Sequence, residues 1–208
     1  MHGEALANWL QEKIAGVCLI VGPVLMMPNT FFEYQEDMLF WAGLTGLIAY
    51  ICLVPALLWI ARLLRERSPR FSVISGLLAT IGTVGGVSFS TALLFEWAER
   101  EAGTPEATMV AITEVVEGRL FPVLVLFSIF FPISLLLLSV GLFRTRVVPI
   151  WVAVLLGIGA IVFPAGHIGE SQLTAHIAEL LLLIPLVWIG LHCLMAARPS
   201  GVAVPSPT

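Results

Sequence analysis

Apolar residues dominate six stretches of the chain, and short polar segments separate them. Each stretch is close to, or longer than, the roughly 20 residues that an α-helix needs to cross about 30 Å of hydrocarbon. The pattern therefore predicts an all-α membrane protein, a six-transmembrane-helix bundle. The predicted spans are residues 14–32, 38–60, 71–95, 120–143, 148–165 and 173–195.

The first predicted span is the least regular of the six. It contains Pro23 and closes on Pro28 and Asn29. Because proline has no N–H and disturbs a helix interior, we expect the outer end of this span to unwind. Glu4 and Glu12 precede it, whereas a signal peptide begins with basic residues. We therefore expect a helix that is retained.

The longest polar connection, residues 96–119, lies between the third and fourth spans. Thr104 is a suitable N-cap for a helix that begins with Pro105 and Glu106. This pattern predicts a short outer helix over about 105–117, lying along the membrane interface.

The composition supports the assignment to the membrane. Of 208 residues, 59% are hydrophobic and 12% are charged, and the mean hydropathy is +1.00, whereas about a quarter of a soluble domain is charged. Residues 1–198 are expected to form a single transmembrane domain. The proline-containing segment 199–208 is expected to be a disordered cytoplasmic tail. The lipid bilayer is then the principal partner, and nucleic-acid binding has no support.

The basic residues predict the orientation, because lysine and arginine near helix ends stay on the cytoplasmic side. With the N-terminus inside, eight of the ten basic residues face the cytoplasm, and eleven of the fourteen acidic residues lie outside. We therefore expect both termini in the cytoplasm and a multi-pass protein of the plasma (inner) membrane. The eight are Lys13, Arg62, Arg65, Arg67, Arg70, Arg144, Arg146 and Arg198.

The third span is rich in glycine, alanine, serine and threonine. Gly82 and Gly86 have the GxxxG spacing that allows two helix backbones to approach closely. We expect this span to lie at the centre of the bundle and Gly82 and Gly86 to be packing positions. The alternative is a dimerisation seam, which would make the protein a homo-oligomer, or a substrate cavity.

The one pattern that suggests chemistry is a repeated His-Ile-small-Glu unit around the fifth connection. It runs from His167 to Glu170 and again from His176 to Glu179. Residues three apart share a helix face, and a carboxylate beside an imidazole can orient it or complete a metal site with it. With Glu96, at the outer end of the third span, these residues form the candidate polar cluster.

Within this cluster, His167, His176 and Glu179 are the candidate ligands of a divalent metal ion. A carboxylate inside a span is costly unless it is paired or faces a cavity. We therefore expect Glu179 to face the bundle interior as a pair with His176. The preferred interpretation of the whole cluster is that both histidines and both glutamates are interfacial residues that cap helix ends, and metal binding and a proton or cation path are the alternatives.

Three functional classes remain open: a non-catalytic binding or accessory membrane protein, a metal-dependent enzyme at the outer leaflet, and a small transporter. The first is preferred because the sequence contains no G-x-S-x-G, Walker or H-E-x-x-H motif. A transporter would carry polar residues near the middle of several spans, and the third span alone supplies them.

The arginine-rich turn before the third span and the R-x-R-V-V-P-x-W turn from Arg144 to Trp151 resemble small bacterial six-helix integral membrane proteins of unknown function. This resemblance implies a bacterial plasma membrane. It carries no catalytic residues over, and a partner membrane protein remains an option.

Overall fold

The computed structural model describes residues 2–169 and 171–196, and within them the chain is helical and has no strand. Six helical runs are long and apolar enough to cross a membrane, as the hydropathy pattern predicts. Glu170, Arg198 and the expected tail 199–208 lie outside the described residues. The helices are α1 (His2–Glu33), α2 (Leu39–Leu63), α3 (Pro69–Glu101), α4 (Glu106–Val115), α5 (Phe121–Ser128), α6 (Phe130–Thr145), α7 (Ile150–Ile168) and α8 (Gln172–Met195).

Helix α1 does not unwind at its C-terminal end, in contrast to the expectation from its prolines. It continues through Pro23 and Pro28 to Glu33, a length of about 48 Å at 1.5 Å per residue. Neighbouring helices can compensate for the carbonyl groups that proline leaves unbonded in a transmembrane helix. As a result, Asn29 and Thr30 continue the buried stripe of α1 instead of belonging to a loop.

The helix predicted before the fourth span is present as α4, and a π-helical turn over Val116–Leu120 joins it directly to α5. Residues Glu106–Thr145 thus form one apolar helical run. Pro122 and Pro132 lack a backbone N–H donor, and the α-helical hydrogen-bond pattern is interrupted close to both residues.

The long helices form a closed ring. Helix α1 packs on α2, α2 on α3, α3 on α5 and α6, α6 on α7, and α7 on α8, and α8 packs back on α1. Leucine and alanine side chains from α2, α6, α7 and α8 fill the interior. Large apolar side chains are exposed on every span, including Val73 and Leu173, as expected of a surface that faces lipid.

Helix α3 is one wall of this ring and does not lie at its centre. Its buried face consists of serine, threonine, alanine and glycine, while its large apolar side chains point outward. Gly82 lies against the backbone of α6, where an added Cβ would be 2.2 Å from the Phe131 nitrogen. Gly86 lies instead against α2, where an added Cβ would be 2.4 Å from the Tyr50 ring. The two glycines therefore accommodate two different neighbours.

Most of the basic residues lie at one end of the ring, in or beside the short connections between neighbouring helices. We call this end the basic end. There the Arg67 guanidinium donates a hydrogen bond to the Thr145 carbonyl and so joins the α2–α3 turn to the end of α6. The opposite end, where α1 and α3 finish, is the acidic end, and it carries Glu33, Asp37 and Glu96.

One lysine connects the first and last helices at the basic end. The Lys13 ammonium group donates hydrogen bonds to the carbonyl oxygens of Cys193, Leu194 and Ala196 at 2.7, 2.8 and 2.7 Å. The last carbonyls of a helix have no partner within the helix and carry partial negative charge. Lys13 therefore caps α8 from α1.

Candidate functional site

Glu179 is buried in the bundle interior at the acidic end. Its side chain is only 1% exposed. The Thr30 hydroxyl of α1 donates a hydrogen bond to its Oε1 atom, and no partner for its Oε2 atom occurs in the described part of the chain. A buried carboxyl oxygen without a partner is rare in a folded protein and marks a position of interest.

The helical repeat explains why this carboxyl group faces inward. The buried positions of α8 follow a three- and four-residue spacing through Ala175, Ala178, Leu182 and Leu186, and Glu179 lies on the same stripe. On α1, Thr30 follows Met26 by four residues on the buried face. The polar pair therefore replaces an apolar contact between two helices that are otherwise packed by apolar residues.

A second carboxyl group and a phenol lie beside this pair. Glu33 of α1 and Tyr50 of α2 are both within electrostatic range of Glu179, and Tyr50 is also within range of Glu33. Glu33 is partly buried and lies one turn beyond Thr30 on α1. We call Thr30, Glu33, Tyr50 and Glu179 the carboxylate cluster.

Two neighbouring contacts hold the helices of this cluster together. The Asn29 side-chain amide of α1 donates a 2.7 Å hydrogen bond to the Ala42 carbonyl of α2. At Gly46 of α2, an added Cβ would be 2.5 Å from Ser90 Oγ of α3 and 2.8 Å from Asn29 Nδ2. The absence of a side chain at Gly46 thus lets α1, α2 and α3 converge beside the cluster.

Aromatic rings extend from the cluster across the ring of helices. Tyr50 makes an edge contact with Phe131 of α6 at 5.6 Å, and Phe131 makes another with Phe163 of α7 at 5.3 Å. Phe163 stacks on His167 at 4.1 Å. Such pairs stabilise a core beyond the effect of their buried area, so this row fixes Tyr50 and His167 in place.

The two histidines at the acidic end, His167 and His176, each bond to a carbonyl group of their own helix. His167 Nδ1 lies 3.1 Å from the Phe163 carbonyl, and His176 Nδ1 lies 2.8 Å from the Gln172 carbonyl. The two imidazoles are close enough to interact electrostatically. The hydrogen-bond partner of Glu179 is Thr30, and the expected His176–Glu179 pair is not formed. Side chains three residues apart on a helix point in directions that differ by about 60°. This difference leaves Glu179 fully buried and His176 half-buried.

The remaining candidates lie elsewhere or outside the described residues. Glu96 accepts a 2.6 Å hydrogen bond from Arg100 one turn later and lines a groove with Glu106 and Glu114 of α4. In residues 2–169 and 171–196, no three histidine, cysteine, aspartate or glutamate side chains form a group that could hold a metal ion. The proposed ligands His167, His176 and Glu179 are therefore not brought together as a set.

Sequence reasoning identified Glu179 but missed Thr30, Asn29 and Tyr50. The available signal was the helical phase of α1, since Asn29 and Thr30 continue the spacing of Leu19 and Met26. No protein-family model, curated protein or solved structure matches the chain. The chemistry of the carboxylate cluster is therefore the basis for a functional assignment.

Proposed function

We propose that this chain is a non-catalytic integral protein of the plasma membrane that binds a cation, in the simplest case a proton, at the carboxylate cluster. The observation that carries the proposal is the buried Oε2 atom of Glu179, which has no partner in the described part of the chain. An ionised carboxyl group in apolar surroundings is strongly disfavoured unless a positive charge or several donors compensate it.

The surroundings of Glu179 supply little of that compensation. Thr30 donates one hydrogen bond to Oε1. Glu33 is close enough for its charge to oppose that of Glu179. Two carboxylates that share an apolar site repel each other, and a shared proton or a bound cation relieves this repulsion. Tyr50 of α2 is within electrostatic range of both carboxyl groups.

The orientation that we propose places this cluster on the outer side of the membrane. The basic end holds most of the lysine and arginine residues of the described chain, which favours a cytoplasmic location for that end and for both termini. The carboxylate cluster would then bind its cation from the outer side. Association with a second copy or another membrane protein remains a prediction.

Thiol labelling of intact cells tests the orientation. We expect Ser171→Cys to react with a membrane-impermeant thiol reagent added outside and Ser68→Cys to remain unlabelled. The two positions are matched, since each immediately precedes a helix, Ser171 at the acidic end and Ser68 at the basic end. The wild-type protein, whose three cysteines lie within helices, serves as the background control. Labelling at Ser68 alone would reverse the proposed orientation.

Infrared spectroscopy of the purified protein tests the cation site. We expect a carbonyl stretching band of a protonated carboxyl group that is lost in Glu179→Gln, because the amide keeps the size of the side chain and removes the titrating group. Glu114→Gln removes an exposed acid at the same end and should leave the band unchanged. Loss in both variants would indicate a general effect of charge.

The same variants distinguish a proton from a metal cation. If a sodium, potassium or magnesium ion occupies the cluster, that ion should raise the unfolding temperature of the wild-type protein at constant pH, by preferential binding to the folded state. Glu179→Gln should lose this effect. Our proposal fails if neither the infrared band nor any cation effect depends on Glu179. It also fails if Glu179→Leu is at least as stable as the wild type and binds every tested cation equally well, since Glu179 would then be a purely structural group.

A further inference from the structure

A groove of about 680 Å³ opens at the basic end, opposite to the carboxylate cluster. Side chains of α1, α2 and α3 line it. Amide and guanidinium groups come from Asn8 and Gln11 of α1 and from Arg62 and Arg65 of α2, and α3 adds the hydroxyl groups of Ser72 and Thr80. Gly76 of α3 packs on α2 at the base of the groove, where an added Cβ would be in ordinary contact with Ala61 and Leu58, each at 3.5 Å.

The positive charge in this groove is held in place but not neutralised. Arg62 donates hydrogen bonds to Gln11 Oε1 at 2.6 Å and to Asn8 Oδ1 at 2.8 Å, and both acceptors are uncharged amides. Its guanidinium group also lies over the Trp59 ring at 5.4 Å. Neither Arg62 nor Arg65 has an ion-pair partner in the ranges that the structure describes. A guanidinium group oriented in this way is suited to bind a phosphate.

The large side chains of the groove are apolar. Leu58 precedes Arg62 by one helical turn, Leu77 faces it from two turns inside α3, and Val73 lies nearer the level of Arg62. Leu58, Val73 and Leu77 are 42%, 69% and 61% exposed. Thr80 lines the deep part of the groove, but its hydroxyl already donates a 3.0 Å hydrogen bond to the Gly76 carbonyl of its own helix. Along the helix axis the lining therefore changes from two arginines at the end of the bundle to large apolar side chains about two turns deeper, over roughly 10 Å.

We propose that this groove binds an anionic phospholipid. The phosphate of the headgroup contacts Arg62 and Arg65, and one acyl chain lies along Leu58, Val73 and Leu77. This order of charge and apolar surface matches the order of a phospholipid along the membrane normal. Basic pockets between transmembrane helices on the cytoplasmic side are suited to anionic headgroups. The inference is independent of the carboxylate cluster, which lies at the other end.

Native mass spectrometry of the purified protein with equal amounts of phosphatidylglycerol and phosphatidylcholine tests the inference. We expect the wild type to favour phosphatidylglycerol by about 30-fold, since each basic side chain near an anionic surface contributes a factor of about five. The double variant Arg62→Gln/Arg65→Gln should lose this preference and bind the two lipids about equally. Arg65→Gln alone should reduce the preference about fivefold. This single variant preserves the Arg62 hydrogen bonds and therefore tests the inference even if the double variant does not fold.

A matched control removes two charges at the same end of the bundle but outside the groove. Arg144→Gln/Arg146→Gln should retain the phosphatidylglycerol preference, because neither residue lines the groove. An equal loss of preference in both double variants would overturn the inference, because the effect would then be a general one of charge. Displacement of the bound lipid by millimolar inorganic phosphate would also overturn it, because the ligand would then be a soluble phosphate compound. Equal binding of both lipids by the wild type would have the same consequence.

Discussion

Gly82→Ala is expected to destabilise the bundle by about 3 kcal/mol, the upper part of the usual range for overpacking. A Cβ at this position would lie 2.2 Å from the nitrogen and 2.4 Å from the Cα of Phe131. These are backbone atoms of α6, which cannot rotate away as a side chain can. Helices α3 and α6 would have to separate, and their contact is part of the ring. Unfolding in detergent, followed by circular dichroism, measures the change.

Gly76→Ala is the matched control on the same helix. Its Cβ would meet only ordinary contacts at 3.5 Å, and alanine is a better helix former than glycine by about 1 kcal/mol. We therefore expect the control to be neutral or stabilising. Equal stability of the two variants would mean that α3 and α6 are not in close backbone contact at Gly82.

Lys13→Met is expected to destabilise the protein by about 2 kcal/mol, because the change removes charged hydrogen bonds and leaves carbonyl groups without a partner. The ammonium group is within 2.8 Å of three carbonyl oxygens at the end of α8. Methionine keeps most of the length of the side chain and its apolar stem, so the change removes the ammonium group, with its hydrogen bonds, its charge and its contact with the Trp9 ring, while the packing of the stem is preserved. The estimate is below the sum of three such bonds because the site is partly exposed.

Arg100→Met provides the comparison for Lys13→Met. Arg100 also donates a short hydrogen bond, 2.6 Å to Glu96, but both side chains are 43% exposed and lie one turn apart on α3. Exposed pairs of this kind contribute at most about 0.5 kcal/mol. A loss of stability for Arg100→Met as large as for Lys13→Met would show that Lys13 acts through its charge alone and not by capping α8.

The local features of the fold could be predicted from the sequence, because each depends on residues close together in the chain. A span needs about 20 predominantly apolar residues, and the six candidate helical runs are 18 to 40 residues long and apolar enough to cross a membrane. The burial of Glu179 could be predicted for the same reason, from its cost inside a span. Local reasoning failed at Pro28, where the packing of neighbouring helices outweighs the tendency of proline to end a helix.

The partners of the site residues could not be predicted, because they are distant in sequence. Glu179 bonds to Thr30, 149 positions away, whereas the expected partner, His176, is on the same helix. The GxxxG spacing of Gly82 and Gly86 indicated a close approach but not the identity of the neighbours. Gly82 faces α6 and Gly86 faces α2, and that distinction depends on the arrangement of all the helices.

The contacts between α1 and α8 have a consequence for the biogenesis of the protein. They join the first and last helices at both ends, through Lys13 and α8 at the basic end and through Thr30 and Glu179 at the acidic end. A ribosome completes α1 long before α8, and domains and helices assemble as they emerge. Until α8 enters the bilayer, the Lys13 amine and the Thr30 hydroxyl lack these partners, and the ring stays open on that side. Insertion of the last helix is therefore expected to be the step that closes the ring, and a chain interrupted before it would leave Lys13, Thr30 and the mostly apolar face of α1 without the helix that covers them.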